Sequence, residues 1–174
     1  MGPTRRPATA LRRRAALAFV FLPAAPSAAS PPLRLEHLTF VATHEAAPEL
    51  RVQADVALID EDANKATLQT VDAEWADALG RPSLRVKCKS GELDLETNDL
   101  IATGDVHGQL ADGRRFVAPT LRYDPSRGMA FTRAPVEILE GDNRVLRGGG
   151  LDYFVKDGKL RLTSGAKVEE RAPQ

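Results

Sequence analysis

Cysteine is almost absent: Cys88 is the only one in 174 residues, beside one tryptophan and two tyrosines, and aromatics make up 5%. A single thiol cannot form a disulfide within the chain. Cys88 lies in Leu84-Arg-Val86-Lys-Cys88-Lys, where even positions are apolar and odd ones basic, so it reads as a small buried core residue. No segment keeps a helical period, and no uninterrupted apolar run is long enough to cross a membrane as a helix. The longest apolar stretch, Ala15 to Ala29, contains two prolines.

Catalytic signatures are missing as well. There is no Gly-x-Ser-x-Gly elbow, no phosphate-cradling glycine loop and no His-Glu-x-x-His. The histidines His37, His44 and His107 are scattered, and two isolated histidines at 37 and 44 do not make a metal site. Asp60, Asp62 and Asn64 imitate the start of a calcium loop. Lys65 stands where that loop needs glycine, and Val71 where it needs a bidentate acid. The expectation is a non-enzyme with neither cofactor nor metal.

Residues 1–29 read as a targeting segment. Arg5, Arg6, Arg12, Arg13 and Arg14 precede an apolar core, Ala15 to Leu22, and Ser27-Ala28-Ala29 offers small residues for a signal peptidase. A cleaved signal peptide is the first reading and a short retained membrane anchor the second. Formal net charge is zero over the whole chain; without this segment 19 cations face 24 acids, a net of −5. That sign excludes a nucleic-acid partner. The expected domain spans 30–168, with a polar tail at 169–174 holding Glu169 and Glu170.

What remains is alternation. Leu33–Thr43 reads as a strand with an irregularity near His37, and Leu50, Val52, Ala54, Val56 and Leu58 as one face of the next. Ala66–Trp75, Leu84–Lys89 and Gly91–Glu96 continue the pattern, and Asp112-Gly113 and Asp157-Gly158 signal tight two-residue hairpins. The fold class is all-β. A weak repeat starts at Leu93, Leu121 and Leu151: strand, polar turn, strand, a small or proline break, then a valine (Val106, Val136, Val168). Hairpins stacked in this way favour two facing sheets over a closed barrel. Gly148-Gly149-Gly150 reads as a bulge or sharp bend.

Leu100 to Leu110 raises a sharper question, because its inward face contains Gly104 and Gly108 beside Val106. Glycine there either leaves room for something else or marks a strongly twisted strand whose neighbours fill the gap.

Gly104-Asp105-Val106, Asp112-Gly113, Leu121-Arg-Tyr123-Asp124, Ala134-Pro135-Val136-Glu-Ile138 and Arg147-Gly148-Gly149-Gly150-Leu151 follow one another in an order that resembles the LptC family of lipopolysaccharide-export proteins. The resemblance covers Gly91 to Val168 well and Leu33–Leu58 more loosely. It implies an open, half-folded antiparallel β-jellyroll of two facing sheets enclosing an apolar groove for lipid A acyl chains. The implied partners are the inner-membrane Lpt ABC transporter and an LptA-like periplasmic bridge protein, and the implied location is the periplasm. A cleavable signal would be closer to LptA, and an ordinary closed β-sandwich without ligand is the rival from another class. Candidate groove residues are Gly104, Val106, Gly108, Leu121, Tyr123, Met129, Phe131, Val136, Ile138, Leu151 and Tyr153, with Leu160 and Leu162 beside them. The candidate partner edge is Lys159-Leu160-Arg161-Leu162-Thr163-Ser164, whose basic residues discourage self-pairing while leaving the backbone free.

Overall fold

Alternating sequences of this kind form strands, and the computed structural model, which describes residues 31–44, 47–141 and 144–170, contains twelve of them. The targeting segment and residues 171–174 lie outside the described residues. Six strands are long: β1 (Leu33–His44), β2 (Ala47–Asp60), β3 (Lys65–Ala76), β4 (Pro82–Asp94), β5 (Leu100–Leu110) and β6 (Arg115–Asp124). Six are short: β7 (Met129–Thr132), β8 (Val136–Glu140), β9 (Arg144–Gly148), β10 (Gly150–Phe154), β11 (Lys159–Thr163) and β12 (Lys167–Glu170). All pair antiparallel within one 12-stranded sheet. The two facing sheets inferred from sequence are therefore two leaves of a single sheet folded along a crease.

The crease can be followed residue by residue. Ladder pairing lapses at His37 on β1, Asp55 on β2, Thr70 on β3, Lys89 on β4, Gly104-Asp105 on β5 and Pro119 on β6. On the later strands it widens into breaks between β7 and β8, at Gly149 between β9 and β10, and at Ser164–Ala166 between β11 and β12. Left-handed backbone marks the line: His37 (φ 55°), Thr70 (φ 54°), Gly104 (φ 77°), Asp105 (φ 47°), Ser164 (φ 60°) and Gly165 (φ 75°). One residue out of step reverses which side chains face inward. On β3 the buried set changes from Ala66 and Leu68 to Val71, Ala73 and Trp75, and on β4 from Leu84, Val86 and Cys88 to Gly91 and Leu93. β5 spends two residues on its bulge and so keeps Leu100, Ala102, Val106, Gly108 and Leu110 all inward.

This corrects the reading of β2. Leu50, Val52 and Ala54 are buried as expected, but beyond Asp55 the buried residue is Ala57, while Val56 and Leu58 turn aside. It also joins the two expected strands Leu84–Lys89 and Gly91–Glu96 into β4. The repeat takes physical form here. Leaf I, which includes β7, β10 and β11, holds Leu93, Leu121 and Leu151; leaf II, which includes β8, β9 and β12, holds Val106, Val136 and Val168; the small or proline breaks between them are crossings of the crease.

Three smaller expectations change. Asp112-Gly113 belongs to a three-residue loop closed by the Leu110 N–H donating to the Arg114 carbonyl at 2.9 Å. Asp157-Gly158 ends a four-residue connection. Glu169 and Glu170 are part of β12 rather than a tail, and Glu169 pairs with Arg147, which also holds Glu137 at 2.8 Å. Gly148–Gly150 is a bend, as read: a Cβ on Gly148 would meet Leu162 at 2.9 Å and one on Gly149 would meet Ser164 at 2.9 Å. The three glycines let β11 lie close over the turn between leaves.

A β-branched residue rarely adopts left-handed backbone, and doing so costs of order 1–3 kcal/mol. Thr70→Gly should therefore be neutral or stabilising by up to about 1 kcal/mol. Thr67→Gly, an ordinary exposed position of the same strand, should cost about 1 kcal/mol. Thermal melts of the pair check the crease directly; equal losses would contradict it.

Candidate lipid-binding site

The interior between the leaves is apolar and its central part is closely packed. Leaf II contributes Leu50, Val52, Ala73, Trp75, Leu84, Val86, Val106, Phe116, Val136 and Ile138; leaf I contributes Leu68, Leu93, Leu121, Tyr123, Leu151 and Tyr153. The Trp75 and Tyr123 rings meet across the gap with centroids 5.1 Å apart.

Polar clasps join the leaves along the rim opposite the crease. The Ser83 hydroxyl donates to the Val155 carbonyl at 2.6 Å, and the Tyr153 hydroxyl donates to the Ser83 carbonyl at 2.9 Å, all of it buried. Nearby, the Tyr123 hydroxyl donates to Glu49 Oε1 at 3.3 Å, and Lys156 Nζ reaches the same carboxylate at 3.7 Å. Burial first and the Glu49 charge second hold the Tyr123 phenol well above its usual range. Both tyrosines thus combine an apolar ring in the core with a hydroxyl that ties one leaf to the other.

The two ends of the folded sheet are less complete. β1 pairs only with β2, β11 only with β10 and β12 only with β9. At the β1 end Leu35, Leu38 and Phe40 are half-buried against the core; at the other end Leu146, Leu160 and Leu162 are. Val168 on β12 is 61% exposed. The apolar interior thus runs from one open edge to the other.

Most of the sequence-derived groove residues converge on this interior. Val106, Leu121, Tyr123, Val136, Ile138, Leu151 and Tyr153 are all buried in the one core cluster. The glycines behave differently. A Cβ on Gly108 would fall inside the Phe116 ring, so the space left by glycine is filled from the neighbouring strand. Gly104, with φ +77° and its Cβ direction towards Lys89, shapes the bulge of β5 and opens no slot. Met129 and Phe131 face the other way. Phe131 pairs with Asp152 and alternates with the inward Ala130, and the Arg133 and Arg127 guanidinium groups cover its ring at 5.1 and 5.9 Å. Met129, though buried, lies outside the core cluster.

The proposed partner edge is placed at a free edge by β11. Lys159 and Arg161 are exposed, alternating with half-buried Leu160 and Leu162 and followed by half-buried Thr163; Ser164 falls past the strand end in the crease. Cys88 is buried, and burial pushes its thiol pKa up, away from reactive thiolate. Depressions open on the surface of the sheet. One, of about 250 Å³, is lined by Arg85, Lys87, His107, Arg115, Val117 and Leu139. Another, of about 450 Å³, follows the crease past His37, Asp55, Thr70 and Asp72. Sequence reasoning passed over Trp75, Phe116, Ser83 and Glu49. The first two were legible as apolar strand positions, but the rim clasp joins residues some 70 positions apart in sequence and left no local signal.

Comparison with protein-family models matches residues 20–169 to a family described as lipopolysaccharide-assembly, LptC-related. The chain belongs to that family. The match takes in every described residue from 31 to 169, so both leaves of the creased sheet are LptC-related. Curated protein sequences give no match. Among solved structures the fold is similar to that of LptH, described as the LptA-homologous periplasmic component of the conserved lipopolysaccharide transport device from Pseudomonas aeruginosa. That similarity has a TM-score of 0.55 at 12% identity, over 71% of this chain and 95% of LptH. The open β-jellyroll inferred from sequence is thus the fold of this LptC-related chain.

Because Phe116 already occupies the space over Gly108, Gly108→Ala should destabilise the domain by about 1–3 kcal/mol. Gly108→Ala combined with Phe116→Leu should lose less than the sum of the two single variants. A double-mutant cycle from denaturant melts reads this coupling; additivity would mean that the ring and the glycine are independent.

Proposed function

We propose that this protein is a periplasmic lipopolysaccharide-binding component of the Lpt transport machinery. In this role it receives lipid from the inner-membrane ABC transporter and passes it to an LptA-like bridge protein. The observation that carries the proposal is the apolar interior between the leaves, continuous from the β1 edge to the β11–β12 edge and framed at both ends by half-buried leucines. Acyl chains need such a lining, and an apolar interior reaching solvent at the ends of an exported domain calls for a ligand.

The leaves are held along the rim by a few hydrogen bonds and along the crease by backbone that already departs from regular pairing. Separating them would admit chains while the strand ladders stay intact. Val106, Leu121, Tyr123, Val136, Ile138, Leu151 and Tyr153 would line the opened space. Residues 1–29 would supply export or tethering, and 30–168 the carrier domain.

Transfer requires the groove to continue into the next protein. β11 offers the unpaired backbone for that, and strand addition at a sheet edge is a general docking mode. Arg161→Pro removes one backbone donor from the edge and should abolish capture of an LptA-like bridge protein in a pull-down. It should leave displacement of the apolar dye ANS by lipopolysaccharide unchanged. Undiminished capture would refute docking through β11. Failure of lipopolysaccharide to displace the dye from the wild-type protein would refute the carrier role and favour a closed sandwich without ligand.

A further inference from the structure

Trp75, the only tryptophan in the chain, is 1% exposed, and no acceptor among the described residues lies within hydrogen-bond reach of its indole Nε1–H. Its neighbours explain why. Leu50 and Leu84 flank it on the adjacent strands, and the Tyr123 ring faces it from leaf I at 5.1 Å, tilted by 55°. A tilted ring offers at most a weak N–H···π contact. A bound water needs two or more polar partners; the two leucines and the tyrosine ring provide none, and the Tyr123 hydroxyl and Glu49 at the rim are bonded to each other.

An unpaired buried donor is costly, about 1–3 kcal/mol, and folded proteins contain few. Phenylalanine or leucine would carry no donor to leave unpaired, at the cost of some of the volume that the indole fills. An indole retained there has a use if the acceptor arrives with a ligand.

The position of Trp75 narrows what that ligand carries. One cross-sheet row runs Ala42, Leu50, Trp75, Leu84, Leu110 from the open β1 edge inward. Trp75 is two strands in, roughly 10 Å at the usual strand spacing. Ala42, the smallest side chain of that row, stands half-buried at the edge. A chain entering at β1 therefore meets the indole early. A carboxylate, phosphate or sugar would not follow it into this apolar surrounding, because an incompletely solvated charge or polyol there is too costly. An oxygen borne on the acyl chain itself, as a hydroxyl or an ester, adds little desolvation and is matched at once by the waiting donor.

We propose that Trp75 Nε1–H is a hydrogen-bond subsite for an oxygen substituent on a bound acyl chain, selecting oxygenated chains over plain ones. The proposal rests on the lipid-carrier role proposed above and adds a chain-chemistry preference to it.

The test uses octadecanoate and its 2-, 3- and 12-hydroxy derivatives, which share a length and a carboxylate. Affinities come from displacement of ANS from the full chain. At least one hydroxy isomer should bind the wild type about five- to tenfold tighter than octadecanoate, the worth of one net hydrogen bond. Trp75→Phe should lose that preference, its hydroxy isomers displacing ANS no better than octadecanoate does. Ultraviolet resonance Raman of the single indole in the wild-type protein gives a readout independent of the variant's folding: the N–H band should move to its hydrogen-bonded position with the preferred isomer and stay put with octadecanoate. Equal binding of all four lipids, an unchanged indole band with every isomer, or a preference that survives Trp75→Phe would overturn the proposal while leaving the carrier role standing. If all four lipids fail to displace the dye while lipopolysaccharide displaces it, the subsite is overturned and the carrier role stands; if lipopolysaccharide fails as well, the carrier role falls and the subsite with it.

Discussion

The crease is the constraint on which the rest depends. A 12-stranded sheet with one apolar face cannot remain open in water, since nothing else in the described chain is available to cover that face. Folding the sheet against itself covers it. Bending across strands, however, interrupts every ladder along one line, and the interruption must fall at matching positions on strands joined by hairpins of different lengths. His37, Asp55, Thr70, Lys89, Gly104-Asp105 and Pro119 occupy that line. Because a single residue out of step reverses a strand's faces, each crossing also decides which side chains enter the core.

The energetic logic is uneven along the line. Glycine at 104 and 165 adopts left-handed backbone at little cost, and Ser164 takes it where the strand has ended. His37 and Thr70 do so with full side chains inside long strands, so packing of the leaves must outweigh local strain there. The Trp75–Tyr123 contact, the Ser83–Tyr153 clasp and the Glu49 bridge supply part of that packing from the opposite rim. Crease and rim are thus complementary: the backbone is bent on one side because side chains hold it closed on the other.

Much of this was legible in the sequence where the chain spelled it with unusual residues. The irregularity at His37, the bend at Gly148–Gly150 and the small or proline breaks of the repeat all mark crossings of the crease. Asp55 and Thr70 are neither glycine nor proline, so alternation appeared to run straight through them, and Val56 and Leu58 were assigned to the wrong face; at Lys89 the change of parity read as a strand end, where the structure has a crossing within β4. Gly108 was legible as a gap but not as a filled one, since Phe116 reaches it from the neighbouring strand. Phe131 looked like core by residue type alone. Its burial comes from two arginines stacked on the outer face, an arrangement set by cross-strand neighbours that hydropathy does not record.

The two edges are finished in different ways, and the difference bears on how such a domain would join others. β1 is long, at twelve residues, with Val41 43% exposed on its outer side and Leu33 48% exposed on the inner face at the strand's start. β11 and β12 are short, and exposed lysines and Arg161 stud them. Short charged edges resist pairing with one another, whereas a long edge with exposed apolar residues is a better template. A copy or relative presenting a β1-like edge would suit the β11–β12 end better than two like ends would suit each other. The two ends of the folded sheet thus differ in length, charge and exposed apolar surface, a difference that one sheet folded on itself makes unavoidable.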